Sequence, residues 1–154
     1  DVYWMPQLYM YAAGVYVMGE KLYHHYWNPD SVVFSRNTDH HRDALTIQSM
    51  KWESYIKRNF LKKFRKELEW DSLHDAIGIT NMIVARYDRP PFSFFEAERR
   101  FMKEHVPDYR GNPYIADLKE FPRFLLELLY SDIDEAGFYQ VAAKLKQSYD
   151  QIPL

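Results

Sequence analysis

With no cysteine in the chain, any acid–base or metal chemistry falls to six histidines and a scatter of carboxylates. The histidines come as two adjacent pairs, His24-His25 and His40-His41, with His74 and His105 alone. Neighbouring residues on a helix point about 100° apart, so neither pair can chelate one ion from a single face. Metal sites on helices use spacings of three or four instead. Glu20 and His24 have the spacing of four, but no matching element accompanies them, and the Glu-x-x-His repeat of a carboxylate-bridged pair of metals is absent. A Gly-x-Ser-x-Gly elbow, a phosphate-binding loop and a Gly-x-Gly-x-x-Gly turn are all missing. Asp132, Asp134 and Glu135 cluster where a helix should start, and the helix dipole accounts for them without chemistry. No cofactor follows from these residues.

One short run points further. Leu73-His74-Asp75-Ala76-Ile77-Gly78 resembles the His-Asp step of the HD-domain phosphohydrolases, an all-helical family. The family needs an earlier histidine and a later aspartate, and His41 and Asp117 lie in those directions. The resemblance implies that His41, His74, Asp75 and Asp117 would ligate a metal whose bound water, with lowered pKa, attacks phosphorus. It covers only these residues. The acidic and basic groups that normally hold the nucleotide are not identifiable, and Ser72 with Asp75 also fits a capping box.

The elements that must position these residues read as helices. Asn28-Pro29-Asp30-Ser31 closes a first element, because a residue before proline is pushed out of the helical region. Val32-Val33-Phe34 suits a short extended piece, and Thr38 or Asp39 suits an N-cap. The longest predicted helix covers about 40–69, with Trp52, Ile56, Phe60, Phe64 and Leu68 as its apolar stripe. On this reading Phe60 and Phe64 face the core. Opposite lie Lys51, Arg58, Lys62 and Arg65, and residues 51–66 hold seven basic side chains against one acid, Glu53. Such a basic amphipathic face suits solvent or an acidic partner.

Asp71-Ser72 is expected to restart the chain, with a helix to about Tyr87. Asp88-Arg89-Pro90-Pro91 is the clearest break, followed by a capping box at Ser93-Phe94-Phe95-Glu96 and a helix ending at Pro107. Another helix starts near Pro113, is interrupted at Phe121-Pro122 and resumes to Tyr130. Ser131 is expected to cap the last one, whose buried side is Phe138, Val141, Ala142, Leu145 and Tyr149. The expected fold class is therefore all-α: one irregular bundle of six to seven helices, built around the N-terminal element and helix 40–69.

A length of 154 residues fits a single domain, since one domain takes about 150. The net charge of -2 argues against a general nucleic-acid binder, and no specific nucleic-acid contact is expected. The outlier is aromatic content: 13 Tyr, 10 Phe and 4 Trp. Much of it lies in the N-terminal element, residues 1–27. From Val2 to Gly19 there is no charged side chain, while Trp4, Tyr9, Tyr11 and Tyr16 alternate with Met5, Met10 and Met18. Read as a helix from about Pro6, it has no polar side, and such helices are buried in a core, a membrane or a partner. It falls short of a membrane span, which needs ~20 predominantly apolar residues. The first residue is Asp rather than Met, which fits a removed import peptide and equally a start inside a longer gene.

These observations set three expectations. The first is a non-catalytic accessory or structural subunit of a larger protein assembly, at an organellar membrane such as the mitochondrial inner membrane. Its partners would be other protein subunits, met through Trp4, Tyr9, Tyr11 and Tyr16, with membrane or lipid contact through residues 2–19. The second is the metal-dependent phosphohydrolase using His41, His74, Asp75 and Asp117. The third is a regulator that binds an acidic partner through the basic helix 51–66, at Lys51, Arg58, Lys62 and Arg65.

Overall fold

The computed structural model describes residues 2–24, 26, 28, 31 and 35–150, with side chains as far as 147. It is all-helical, and no strand occurs among the described residues. Six α-helices follow in chain order: α1 (Trp4–Tyr11), α2 (Asp43–Lys57), α3 (Leu61–Arg86), α4 (Phe92–His105), α5 (Glu120–Tyr130) and α6 (Glu135–Asp150). Short 3-10 turns occupy Asp39–Arg42, Tyr109–Gly111 and Pro113–Asp117. The expected extended piece at Val32-Val33-Phe34, together with His25, Trp27 and the side chain of Tyr149, lies outside the described residues.

The bundle is organised around α3, which packs against α2, α4, α5 and α6. Its buried residues Leu68, Ser72, Leu73, Ala76, Ile79, Thr80, Ile83 and Val84 recur at helical spacing. Trp52 and Tyr55 of α2, Phe94, Phe95 and Met102 of α4, Leu126 and Leu129 of α5 and Phe138 of α6 close the core. An aromatic cluster fills one end. Phe95 and Phe138 stack at 4.5 Å between ring centroids, and the Arg99 guanidinium lies 4.9 Å from the Phe95 ring.

The expected helix 40–69 is two helices. A strict four-residue row advances about 40° past each full turn, so Trp52 to Leu68 winds roughly 160° around a straight helix. The chain resolves this by stopping. Asn59 takes a left-handed conformation, φ 59°, with its N–H bonded to the Ile56 carbonyl at 2.9 Å. The Phe60 N–H bonds to the Tyr55 carbonyl at 2.9 Å. The two bonds and the left-handed Asn form a Schellman C-terminus. Trp52 and Leu68 are buried, Phe60 and Phe64 only half-buried, and Ile56 lies 57% exposed.

Other boundaries moved for similar reasons. Asp71, Ser72 and Asp75 lie inside α3 and do not restart the chain; the Asp71 and Asp75 carboxylates meet Lys51 of α2, and the Ser72 carbonyl accepts from Gln48 Nε2 at 3.3 Å. Helix α4 begins after Pro91 as expected, yet no capping box forms, and Ser93 Oγ accepts from Arg42. Ser131 ends α5, donating to the Leu128 carbonyl at 2.7 Å, while Asp134 accepts the Gly137 N–H at the start of α6. Thr38 caps the first 3-10 turn through the His40 N–H.

The N-terminal element is not the axis of the bundle. Among its described residues only eight are helical, and from Ala12 to His24 the chain is irregular and exposed. Gly14 and Gly19 each cost about 1 kcal/mol in a helix interior, Val15 and Val17 are stiff, and no charged pair spans a turn. Such a segment gains helix only where it is packed. Gln7 is the one buried residue of α1, and its Oε1 accepts Ser54 Oγ–H at 2.8 Å.

Candidate functional site

The four residues of the phosphohydrolase arrangement are not gathered around one point. His41 is buried in the first 3-10 turn, its Nε2 2.8 Å from the Ser35 carbonyl and its ring against Tyr87. His74 is exposed on α3 beside Trp70. Asp75 binds Lys51, and Asp117 is exposed at the end of its own 3-10 turn. Among the described residues, no group of three or more histidines and carboxylates is placed to hold a metal ion.

The expected contact residues divide in two. Lys51 is 2% exposed and faces inward, so it is not part of the basic surface. Its ammonium lies 2.7 Å from Asp71 Oδ2 and 2.5 Å from Asp75 Oδ2. Tyr55 OH donates to Asp71 at 2.8 Å. Lys51 and Tyr55 are one turn apart on α2, and Asp71 and Asp75 one turn apart on α3. The two i,i+4 pairs meet face to face as a square between the helices. Burial, the largest cause, holds the Asp75 carboxyl above its usual range against the pull of Lys51. Burial and the neighbouring Asp71 likewise push the Tyr55 phenol up.

Arg58 turns to α1, donating to Tyr11 OH at 2.6 Å and to Ser54 Oγ at 3.1 Å. Lys62 is exposed, and Arg65 pairs with Glu69 at 2.8 Å. With Lys57 and Lys63 also exposed, a basic arc runs along the outer side of the α2–α3 turn.

The aromatic contact residues are open. Trp4 is 59% exposed and Tyr16 87%, and Tyr9 and Tyr11 are also at the surface. Val15, Val17, Leu22, Tyr23 and Tyr26 extend this apolar exposure along the chain.

Between α1 and the α2–α3 pair lies a cavity of about 450 Å³. Val2, Met5, Pro6, Tyr9, Met10 and Leu68 form its walls, and Lys51, Glu67, Asp71 and Asp75 supply its polar atoms. Beyond Val2, a second cavity of about 310 Å³ shares Asp75 and is lined by Ala44, Ile47, His74, Gly78, Ile79 and Met82. Deeper in the core sits a polar pair that sequence reasoning missed. Glu98 of α4 is 0% exposed, and its Oε1 accepts from Gln48 Nε2 at 3.1 Å. Burial pushes its carboxyl up to about 8, with Gln48 pulling down and Asp75 adding to the rise. Periodicity counts Gln48 and Glu98 as polar and assigns them to the outside; only the 3.6-residue phase of their buried neighbours would have placed them.

Comparison with protein families, with curated proteins and with solved structures finds no match for this chain.

Proposed function

We propose that the protein is a non-catalytic accessory or structural subunit of a larger assembly, joined to its partners through the N-terminal segment. One observation carries this reading: an uncharged run of Tyr, Trp, Met and Val from Val2 to Met18 is exposed along most of its length. Monomers seldom expose contiguous apolar patches beyond about 300–600 Å², and Tyr, Trp and Met are enriched where a partner covers them. The finer form of the reading sets the assembly at an organellar membrane such as the mitochondrial inner membrane. Tyr and Trp beside Val and Leu suit the boundary between headgroups and acyl chains. Among the described residues no helix is long and apolar enough to cross a membrane. The basic arc at Lys57, Lys62 and Lys63 supports a second contact, with an acidic region of a partner.

The test is the native mass of the chain at its ordinary cellular level, read by size-exclusion chromatography of a gently lysed extract. The chain should elute far above its own 18.6 kDa. Replacing Tyr11, Tyr16, Val17 and Tyr23 by Ser should return it to monomer size with its helical content intact. A wild-type chain that elutes as a monomer would sink the proposal.

A further inference from the structure

The cavity under α1 has unbalanced charge. Among the described residues, Glu67, Asp71 and Asp75 line it against the one ammonium of Lys51. Lys51 engages only Oδ2 of each aspartate, and among the described residues no hydrogen bond reaches Oδ1 of either. A carboxylate offers about four acceptor positions, so each aspartate can accept from a ligand beside Lys51. The remaining wall is apolar and soft, with the thioethers of Met5 and Met10 beside the Tyr9 ring. Methionine adapts to irregular ligand shapes, and cavities of about 300–1,000 Å³ with few polar groups are the usual small-molecule sites.

We propose that this cavity binds an amphiphilic cation, a primary ammonium carried on an apolar chain. The ammonium sits against Asp71 and Asp75 on the side that Lys51 does not occupy. The chain lies along Met5, Met10 and Leu68, or passes Val2 into the second cavity beside Ile47 and Met82. An anion of the same shape meets three carboxylates and one ammonium and is repelled. A neutral alcohol gains the apolar contact without the charge-assisted bonds. The site does not depend on the N-terminal surface reaching a partner, so it stands apart from the subunit reading.

The experiment is calorimetric titration of the full chain with n-octylammonium, n-octanol and n-octanoate, each below its aggregation concentration. Octylammonium should bind at one site at least about tenfold tighter than octanol, the worth of one charge-assisted bond, and octanoate should not saturate. Methyl spectra of labelled methionines locate the ligand: the Met5 and Met10 signals should move, and Met50, on the outer face of α2, should not. Asp75→Asn should weaken octylammonium about tenfold and leave octanol unchanged. Should circular dichroism show that Asp75→Asn has unfolded, Glu67→Gln on the exposed rim decides, with a smaller loss in the same direction. Equal affinity for the three probes, no binding of octylammonium, or shifts at Met50 in place of Met5 and Met10 would each overturn the proposal.

Discussion

Two buried titratable side chains, Glu98 and Lys51, set the residue scale. Glu98 takes its proton up to about 8 in the folded protein, against an ordinary value of 4.5. Between those values the folded chain holds a proton that the unfolded chain has lost, so stability falls as pH rises through that window. Asp75, also held above its usual range, adds the same sign. Glu98→Gln keeps an N–H donor where the protonated carboxyl had its O–H and removes the titration. Denaturant unfolding from pH 5 to 8.5 should show the variant gaining on the wild type as pH rises, by an amount on the order of a few kcal/mol at most. Parallel profiles would mean that Glu98 is ionised in the core. Lys51 gives the opposite test. Lys51→Met leaves two carboxylates facing each other across a partly solvated square, and should cost roughly 2–4 kcal/mol in the same assay. None of this was plain in the sequence. Lys51 reads as one of seven basic residues on a solvated face, and Asp75 as a cap. Only the matching i,i+4 spacings, Lys51 with Tyr55 and Asp71 with Asp75, carried the signal, and they become meaningful once α2 and α3 are known to be antiparallel neighbours.

At the scale of elements, helix identity was legible and helix ends were legible only where the backbone itself forced them. Pro90-Pro91 and Pro107 flank α4, which lies between them as read, whereas Pro6 and Pro122 sit in the first turns of α1 and α5, where proline is tolerated. Asp71, Ser93 and Ser131 misled because a hydroxyl or carboxylate that can cap can also bond elsewhere. Ser93 took Arg42, and Asp71 took Tyr55 and Lys51. Asn59 is the converse case: a lone Asn inside an amphipathic run that ends α2 by adopting φ 59°. A left-handed conformation costs most residues about 1–2 kcal/mol and glycine nothing. Asn59→Gly should therefore match or exceed the wild-type melting temperature, whereas Asn59→Val should lose about 1–2 kcal/mol. A Val variant as stable as wild type would mean that helix 40–69 can run straight through, as the apolar spacing alone suggests. The half-burial of Phe60 and Phe64 has the same origin, since both follow the turn that redirects the chain into α3.

For the whole molecule, the question is what the first 24 residues contribute to folding. The all-α class could be read from periodicity, because it depends on averages over many residues. The role of the N-terminal element could not: a run without charges is equally a core helix or an exposed contact until the number of partners it finds is known. Here α1 is tied down by Gln7 to Ser54, by Tyr11 to Arg58 and Phe60, and by Met10 against the core. Past Tyr11 the side chains are exposed. Stability should follow that division. Tyr16→Ser and Val17→Ser remove side chains that are open to solvent, so each should change stability by no more than about 0.5 kcal/mol. Gln7→Leu leaves the Ser54 hydroxyl, itself buried, without its acceptor, and should cost about 1–3 kcal/mol while freeing α1 from the bundle. The measurements are thermal melts of the three single variants beside wild type, with the exchange rates of the α1 amides. Faster exchange confined to Trp4–Tyr11 in the Gln7 variant would confirm that the Gln7–Ser54 bond is needed to dock this helix. A Tyr16→Ser melt several degrees lower would instead mean that the segment past Tyr11 packs on the domain, and the exposed face on which the subunit reading rests would be lost.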